Sequence, residues 1–153
     1  MSLRPFQPTE FDVFWHAVAG SDPTVAVGKM DPELLRARVA TSGQMTEREL
    51  LLAIQVDGRL IGSIQGYRDA LPDGVFGLGI ELFDEGDRGM GHGTAAVKEL
   101  AARLFDHEGA RRIEAGTATT TRLCVRCWNA WASKRKGSCG AGTRRRTAGA
   151  WIA

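Results

Sequence analysis

Two apolar rhythms alternate along this chain. Leu50 to Val56 and Arg59 to Tyr67 are apolar-rich runs of strand length, separated by Asp57-Gly58. Asp-Gly supplies the positive backbone angles of a two-residue turn, so the runs are predicted to pair as an antiparallel hairpin. Leu71-Pro72-Asp73-Gly74 is a second turn, after which Val75 to Leu82 returns as a third antiparallel strand. Gly77 and Gly79 lie inside that strand, where glycine weakens pairing and suits a bulge or a close backbone approach. The period then lengthens to that of a helix. Val97, Leu100, Ala101, Leu104 and Phe105 share one face, and Lys98, Glu99, Arg103 and Asp106 the other, with Glu99 and Arg103 spaced as an i, i+4 pair. This helix is predicted from about Gly91 to Glu108, with Gly109 just past its end. Ala110 to Ala118 reads as a parallel strand reached by a right-handed crossover.

The N-terminal part adds a short strand, Ser2 to Phe6, and two helices. Thr9 is the expected N-cap of the first, whose Phe11, Phe14, Trp15 and Val18 fall on one face; Gly20-Ser21-Asp22-Pro23 ends it. Asp31 caps the second, with Pro32 at its first position, Leu34, Leu35 and Val39 as its apolar residues, and a stop before Gly43. The order is β-α-α-β-β-β-α-β. It predicts an α/β (α+β) domain with a mixed, mostly antiparallel sheet and flanking helices, and 153 residues suffice for one domain with a real core.

Between the third antiparallel strand and the long helix stands Arg88-Gly89-Met90-Gly91-His92-Gly93. A glycine-rich loop entering a helix gathers backbone N–H groups into a concavity, and the first helical turn adds unpaired N–H groups and the positive end of the dipole. Such a loop holds phosphates, and Arg88 brings a permanent charge to its rim. The order is not that of a dinucleotide fingerprint, because Thr94 stands where the third glycine belongs, nor that of a P-loop, because no Gly-Lys-Ser/Thr follows.

Arg88-x-x-Gly91-x-Gly93 resembles the Arg/Gln-x-x-Gly-x-Gly/Ala signature of the GNAT family of acyl-CoA-dependent N-acetyltransferases. The element order is similar to the first two-thirds of that fold, more closely to the branch of ribosomal-protein N-terminal acetyltransferases. The resemblance implies the GNAT acyl-CoA N-acyltransferase fold, with a bulge that splays the third antiparallel strand from its parallel neighbour. It implies acetyl-CoA as cosubstrate, no metal, and a primary amine as acceptor, either a protein N-terminus or a small amine. Backbone N–H groups near Leu82 and Phe83 are then expected to pair with the pantetheine arm, and Arg88, Gly89, Met90, Gly91, His92, Gly93 and Thr94 to take the pyrophosphate. Glu81 is the candidate general base, a carboxylate placed to receive the amine proton; its other reading is a solvent-facing strand residue. His92 reads as an outward-pointing spacer, and His16 on the first helix as a residue of the acceptor groove. Tyr67, the only tyrosine, has no assigned role as the acid that protonates the thiolate.

Composition breaks sharply near the end. All 18 acidic residues lie at or before Glu114, so residues 1–114 carry a net −6 and the remainder +8. The acidic body mildly favours a cationic acceptor. Beyond Thr120 the family pattern fails, and residues 1–121 are read as the acetyltransferase domain, followed by an atypical basic tail, 122–153. Codons read from the third base of the preceding one give a forced Leu across Cys127 and Trp128, a forced Glu across Trp128 and Asn129, and a forced Gly across Trp131 and Ala132. The overlapping frame can spell L-E-R-L-G-F, the motif that the family carries there. The tail is therefore read as out of frame, with one base lost or misread near codon 120.

As printed, Cys124, Cys127 and Cys139 make a poor zinc site, with three thiolates and no nearby His. The Arg/Lys groups with Trp128 and Trp131 leave a second function class, a non-catalytic CoA-binding or nucleic-acid-binding module, although a basic tail alone is weak evidence for nucleic acid. A tail real as printed predicts an irregular C-terminal part, an exposed sheet edge, and dimerisation, aggregation or partial disorder of residues beyond about 121. No apolar stretch reaches membrane-spanning length and no signal peptide is visible, so a cytoplasmic protein is expected.

Overall fold

A computed structural model describes residues 1–20, 31–68, 71–117 and 150–152. Its elements are β1 (Ser2–Arg4), a 3-10 turn (Pro8–Glu10), α1 (Phe11–Gly20), α2 (Pro32–Ala40), β2 (Glu49–Val56), β3 (Arg59–Tyr67), β4 (Val75–Leu82), a second 3-10 turn (Glu85–Asp87), α3 (His92–His107), β5 (Arg112–Thr117) and β6 (Ala150–Ile152). The described strands form one sheet in the order β1-β2-β3-β4-β5-β6, antiparallel throughout except for the parallel pair β4–β5. The predicted α/β class and mixed sheet are both present.

Local chemistry explains most of the boundaries. Asp57 and Gly58 both take positive φ, +49° and +82°, and close the β2–β3 hairpin as the Asp-Gly pair requires. Asp31 caps α2, its carboxylate accepting the Glu33 N–H at 2.9 Å. At the first helix the cap moves: Gln7 rather than Thr9 precedes the opening turn, and Glu10 accepts the Gln7 N–H at 2.8 Å. The longer local reach of Glu10, itself held by Arg4 at 2.6 Å, displaces the threonine cap.

The sheet is covered on both faces. On one, α3 sets Val97, Leu100, Ala101 and Leu104 against Leu50, Leu52, Ile54, Ile64, Phe76 and Leu78. On the other, Phe14 of α1 and Leu35 and Val39 of α2 pack on Phe6, Leu51 and Ala53. Each fully buried leucine contributes roughly 1.5–3 kcal/mol of transfer free energy. Leu34, expected inside, is instead 55% exposed, because the α2 stripe facing the sheet runs through Leu35 and Val39. Glu99 and Arg103 do not pair with each other as their spacing suggested. Glu99 accepts the Leu3 N–H and Arg103 donates to the Gly43 carbonyl, so they tie α3 to β1 and to the turn after α2.

The glycines of β4 serve close approach and not a bulge. The β3–β4 register runs without a shift from Gly62↔Leu82 to Tyr67↔Gly77, and the irregularity falls in β2–β3, at Ile54/Gln55. At Gly77 an added methyl would stand well inside contact distance of Cε2 and Cζ of the Tyr67 ring. Gly77→Ala is therefore expected to lower unfolding free energy by about 1–3 kcal/mol, the usual cost of overpacking. Chemical denaturation checks this; parental stability in the variant would mean that the ring does not rest there.

β6 adds Ala150, Trp151 and Ile152 antiparallel to Thr117, Gly116 and Ala115. The far edge of β5 is thus paired there, in place of the bare edge expected of a chain ending as printed. The basic tail, with its cysteines and tryptophans before residue 150, lies outside the described residues.

Candidate active site

The parallel pairing of β4 with β5 covers only Val75↔Arg112 to Leu78↔Ala115. Beyond Leu78, β4 runs on to Leu82 with register partners on β3 alone among the described residues, while β6 pairs with the opposite edge of β5. The described pairing of the two strands ends here, and the C-terminal half of β4 is left with an open edge on that side among the described residues, referred to below as the split. The pairing ends where the splay was expected, and the register of β4 with β3 carries no bulge.

Which backbone groups face the split follows from the register. The Phe83 N–H donates to the Ile61 carbonyl at 3.0 Å, so it points toward β3 and is not available to a ligand in the gap. This corrects the expectation for Phe83. Antiparallel pairs alternate in hydrogen bonding, so Leu82, and Ile80 two residues before it, turn their N–H and C=O toward the split. Ile80 was missed in the sequence because the direction of each amide depends on register parity, which composition does not encode. Consistent with this, the free carbonyl of Leu82 accepts Arg88 Nη2 at 3.3 Å.

The loop that follows is built in stages. Asp84 Oδ1 accepts the Gly86 N–H at 2.8 Å and starts the 3-10 turn. Asp87, with 7% exposure, receives the Arg59 guanidinium in a two-point pair at 2.9 and 2.5 Å, which fixes the loop to the head of β3. Gly89 and Gly91 both adopt positive φ, +79° and +86°, and Gly91 is the N-cap of α3. The Ala95 N–H makes the first intrahelical bond, to the Gly91 carbonyl, so the His92 and Gly93 amides precede the ladder at the positive end of the α3 dipole. Met90 stands at the tip, 70% exposed, and His92 is half-buried near Asp87. Arg88, besides Leu82, reaches Glu85 at 3.6 Å; a phosphate in the loop would compete with both for its guanidinium.

The Arg59 hydrogen bonds hold the Asp87 carboxyl below its ordinary value of 3.8, with the nearby His92 adding to the effect. A depressed carboxyl stabilises the fold above its ordinary value, and that stability is lost as pH falls through the lower folded-state value. Asp87→Asn is therefore expected to flatten the loss of stability below about pH 4. Acid-unfolding curves of the two proteins check it; identical acid limbs would contradict the anchor.

Glu81 lies on the opposite face of the sheet from α3. Ala53, Ser63 and Glu81 form one row across β2, β3 and β4, and Glu49, Tyr67, Gly77 and Glu114 form another. Glu49 is held by Arg38 at 2.5 and 2.8 Å, and Glu114 by Arg112 at 2.9 Å. Glu81 has no ion-pair partner among the described residues and is half-buried beside the split. A carboxylate so placed can take a proton from a nucleophile approaching along this face. His16 is exposed on α1, and no described contact joins it to Glu81. Tyr67 lies half-buried in the second row, its phenol raised by burial and by Glu114. Among the described residues no group of His, Cys, Asp or Glu could hold a metal ion, and no helix is long and apolar enough to cross a membrane.

Among the described residues, an open edge of β4 thus leads to a glycine turn at a helix N-terminus, with a carboxylate in no described ion pair at its side. Residues 1–122 match the model of the GNAT acetyltransferase domain, and the chain belongs to that family of acetyl-CoA-dependent N-acetyltransferases. No curated protein sequence matches it. Among solved structures, the fold is similar to the aminoglycoside acetyltransferase AAC(6')-Ib in complex with ribostamycin and coenzyme A, at 18% identity and a TM-score of 0.70, covering 99% of this chain and 89% of that one. A variant of the spermidine N-acetyltransferase SpeG from Vibrio cholerae shares 11% identity at a TM-score of 0.66, covering 86% and 79%. A domain from Methanocaldococcus jannaschii shares 12% at 0.69, covering 99% and 95%.

Proposed function

We propose that this protein transfers the acetyl group of acetyl-CoA to a primary amine that approaches Glu81 on the α1–α2 face of the sheet. The observation that carries this reading is the split beyond Leu78 leading to the loop at Gly89–Gly93. The carrier's phosphates fit the amides of the loop, and its arm fits the gap beside Ile80 and Leu82. The amine nitrogen attacks the thioester carbonyl, the carbon–sulfur bond breaks, and Glu81 takes the proton that the nitrogen sheds, directly or through water. The departing thiolate takes up a proton, leaving an acetamide and free CoA.

The acceptor is a small amine in this reading, supported by the acidic body of the domain, net −6 over residues 1–114. The sequence resemblance to ribosomal-protein N-terminal acetyltransferases supplies the second acceptor class, a protein N-terminus. Thiol release from acetyl-CoA with a panel of monoamines, diamines and N-terminal peptides tests both. Amine-dependent release with acetylated product in the mass spectrum is expected. Binding of CoA with no release for any amine would leave a non-catalytic CoA module, and salt-dependent nucleic-acid affinity without release would favour the nucleic-acid reading.

For residues 122–153 we propose an out-of-frame origin, in the gene or its record. The family match ending at residue 122 and the forced Leu, Glu and Gly of the overlapping frame support it. The DNA sequence across codons 115–130, with the intact mass of the product, tests it: an extra base there restores the motif, and agreement with the printed chain overturns the proposal.

A further inference from the structure

We infer that Arg59 is a positioning residue for the phosphates of the carrier: its pair with Asp87 fixes the point at which the chain enters the Arg88–Gly93 loop, and it cancels a buried carboxylate that would oppose an anion there. The inference rests on the acetyl-CoA reading of that loop and names a residue outside it on which its affinity depends. Arg59 pairs with Val56 across the β2–β3 turn, so its backbone belongs to the sheet. Its guanidinium donates to both oxygens of the Asp87 carboxylate, and a planar fork on a planar carboxylate fixes direction as well as distance. Asp87 ends the second 3-10 turn, directly before Arg88. Gly89 and Gly91 then carry the chain through positive φ, with nothing within 4 Å of a Cβ built at either. Side-chain crowding does not steer those two residues. The aim of the His92 and Gly93 amides therefore depends on where the loop is held, at α3 on one side and at Asp87 on the other.

The approach to the loop is acidic: Asp84, Glu85 and Asp87 are three of the four residues before Arg88. Glu85 is 92% exposed and screened by water. Asp87 is buried, the only charged residue so placed among the described ones, and an unpaired charge there is little screened. Arg59 supplies the counter-charge. It also stands close enough to Asp84 for both carboxylates to push its guanidinium further above its ordinary value, Asp87 the more. The outer side of Arg59 is open, at 61% exposure, so water shares in this balance and the expected effects are of about tenfold order.

Calorimetric titration of CoA into the full chain, with steady-state kinetics beside it, tests the proposal. Arg59→Met is expected to raise the Kd for CoA and the KM for acetyl-CoA by about tenfold, the order of a charge-assisted hydrogen bond, with kcat at saturation kept within about twofold. Arg59→Met combined with Asp87→Asn removes the opposing charge along with the anchor, and is expected to regain about threefold of that loss. A Kd in Arg59→Met equal to the parental one overturns the proposal while the acetyltransferase reading stands. A fall in kcat with KM unchanged assigns the pair to general stability and overturns it as well, and a double variant no better than Arg59→Met overturns the charge cancellation. Should Arg59→Met not fold, the double variant, which leaves no carboxylate unpaired at this position, decides: weakened CoA binding supports the proposal and parental affinity overturns it. A parental chain that binds no CoA contradicts the reading of the loop itself, and the inference falls with it.

Discussion

Replacing Glu81 by glutamine lowers kcat/KM for amine acceptors by about 10²- to 10⁴-fold, the usual share of a positioned general base. The amide has nearly the shape of the carboxylate, so the KM for acetyl-CoA is expected to hold and the fold to persist. The size of the effect depends on pH in a direction that identifies the role. An alkyl amine with a pKa of about 10 is almost wholly protonated at neutral pH and must shed a proton to react. As pH rises, solution removes that proton unaided, so the deficit of Glu81→Gln shrinks toward high pH. Steady-state kinetics across pH measures it. A deficit constant with pH would assign Glu81 to binding, and full activity in the variant would remove it from the site.

Gly91→Val is expected to weaken CoA binding by about tenfold or more. Gly91 caps α3 at φ +86°, a conformation that costs an ordinary residue about 1–2 kcal/mol and a β-branched one more. Nothing lies within 4 Å of a Cβ placed there, so crowding is not the cause. The strain is relieved by moving the loop, and the His92 and Gly93 amides then no longer converge on one phosphate. Gly109 supplies the control, because it also has positive φ, +72°, and open space, but sits beyond the other end of the helix. Gly109→Val should show a similar loss of stability with unaltered CoA affinity. Calorimetric titration with CoA separates the two; equal losses of affinity would show that only global stability had changed.

The elements legible in the sequence were those written in local chemistry. Asp57-Gly58 set its hairpin, Asp31-Pro32 its helix start, and the spacing from Val97 to Leu104 the helix that covers the sheet. The loop from Arg88 to Gly93 was legible because positive φ calls for glycine at Gly89 and Gly91. Features that depend on distant partners were not. Arg59 and Asp87 are 28 residues apart, and nothing near either one announces the pair. Gly77 signalled a close approach, but only the register shows that the approaching group is Tyr67. The same register turns Phe83 toward β3 and Ile80 toward the split, a parity that a one-residue slip would reverse. Glu49, Glu81 and Glu114 looked alike as strand carboxylates; among the described residues Arg38 and Arg112 distinguish them by pairing with Glu49 and Glu114.

Backbone amide shifts recorded while CoA is titrated into the full chain test the central claim most directly. The account predicts perturbations concentrated at Ile80 and Leu82 and through Gly89–Thr94, with Phe83 affected less than Leu82 because its N–H stays bonded to Ile61. Perturbations centred away from β4 and the loop, or no saturable change at all, would contradict it.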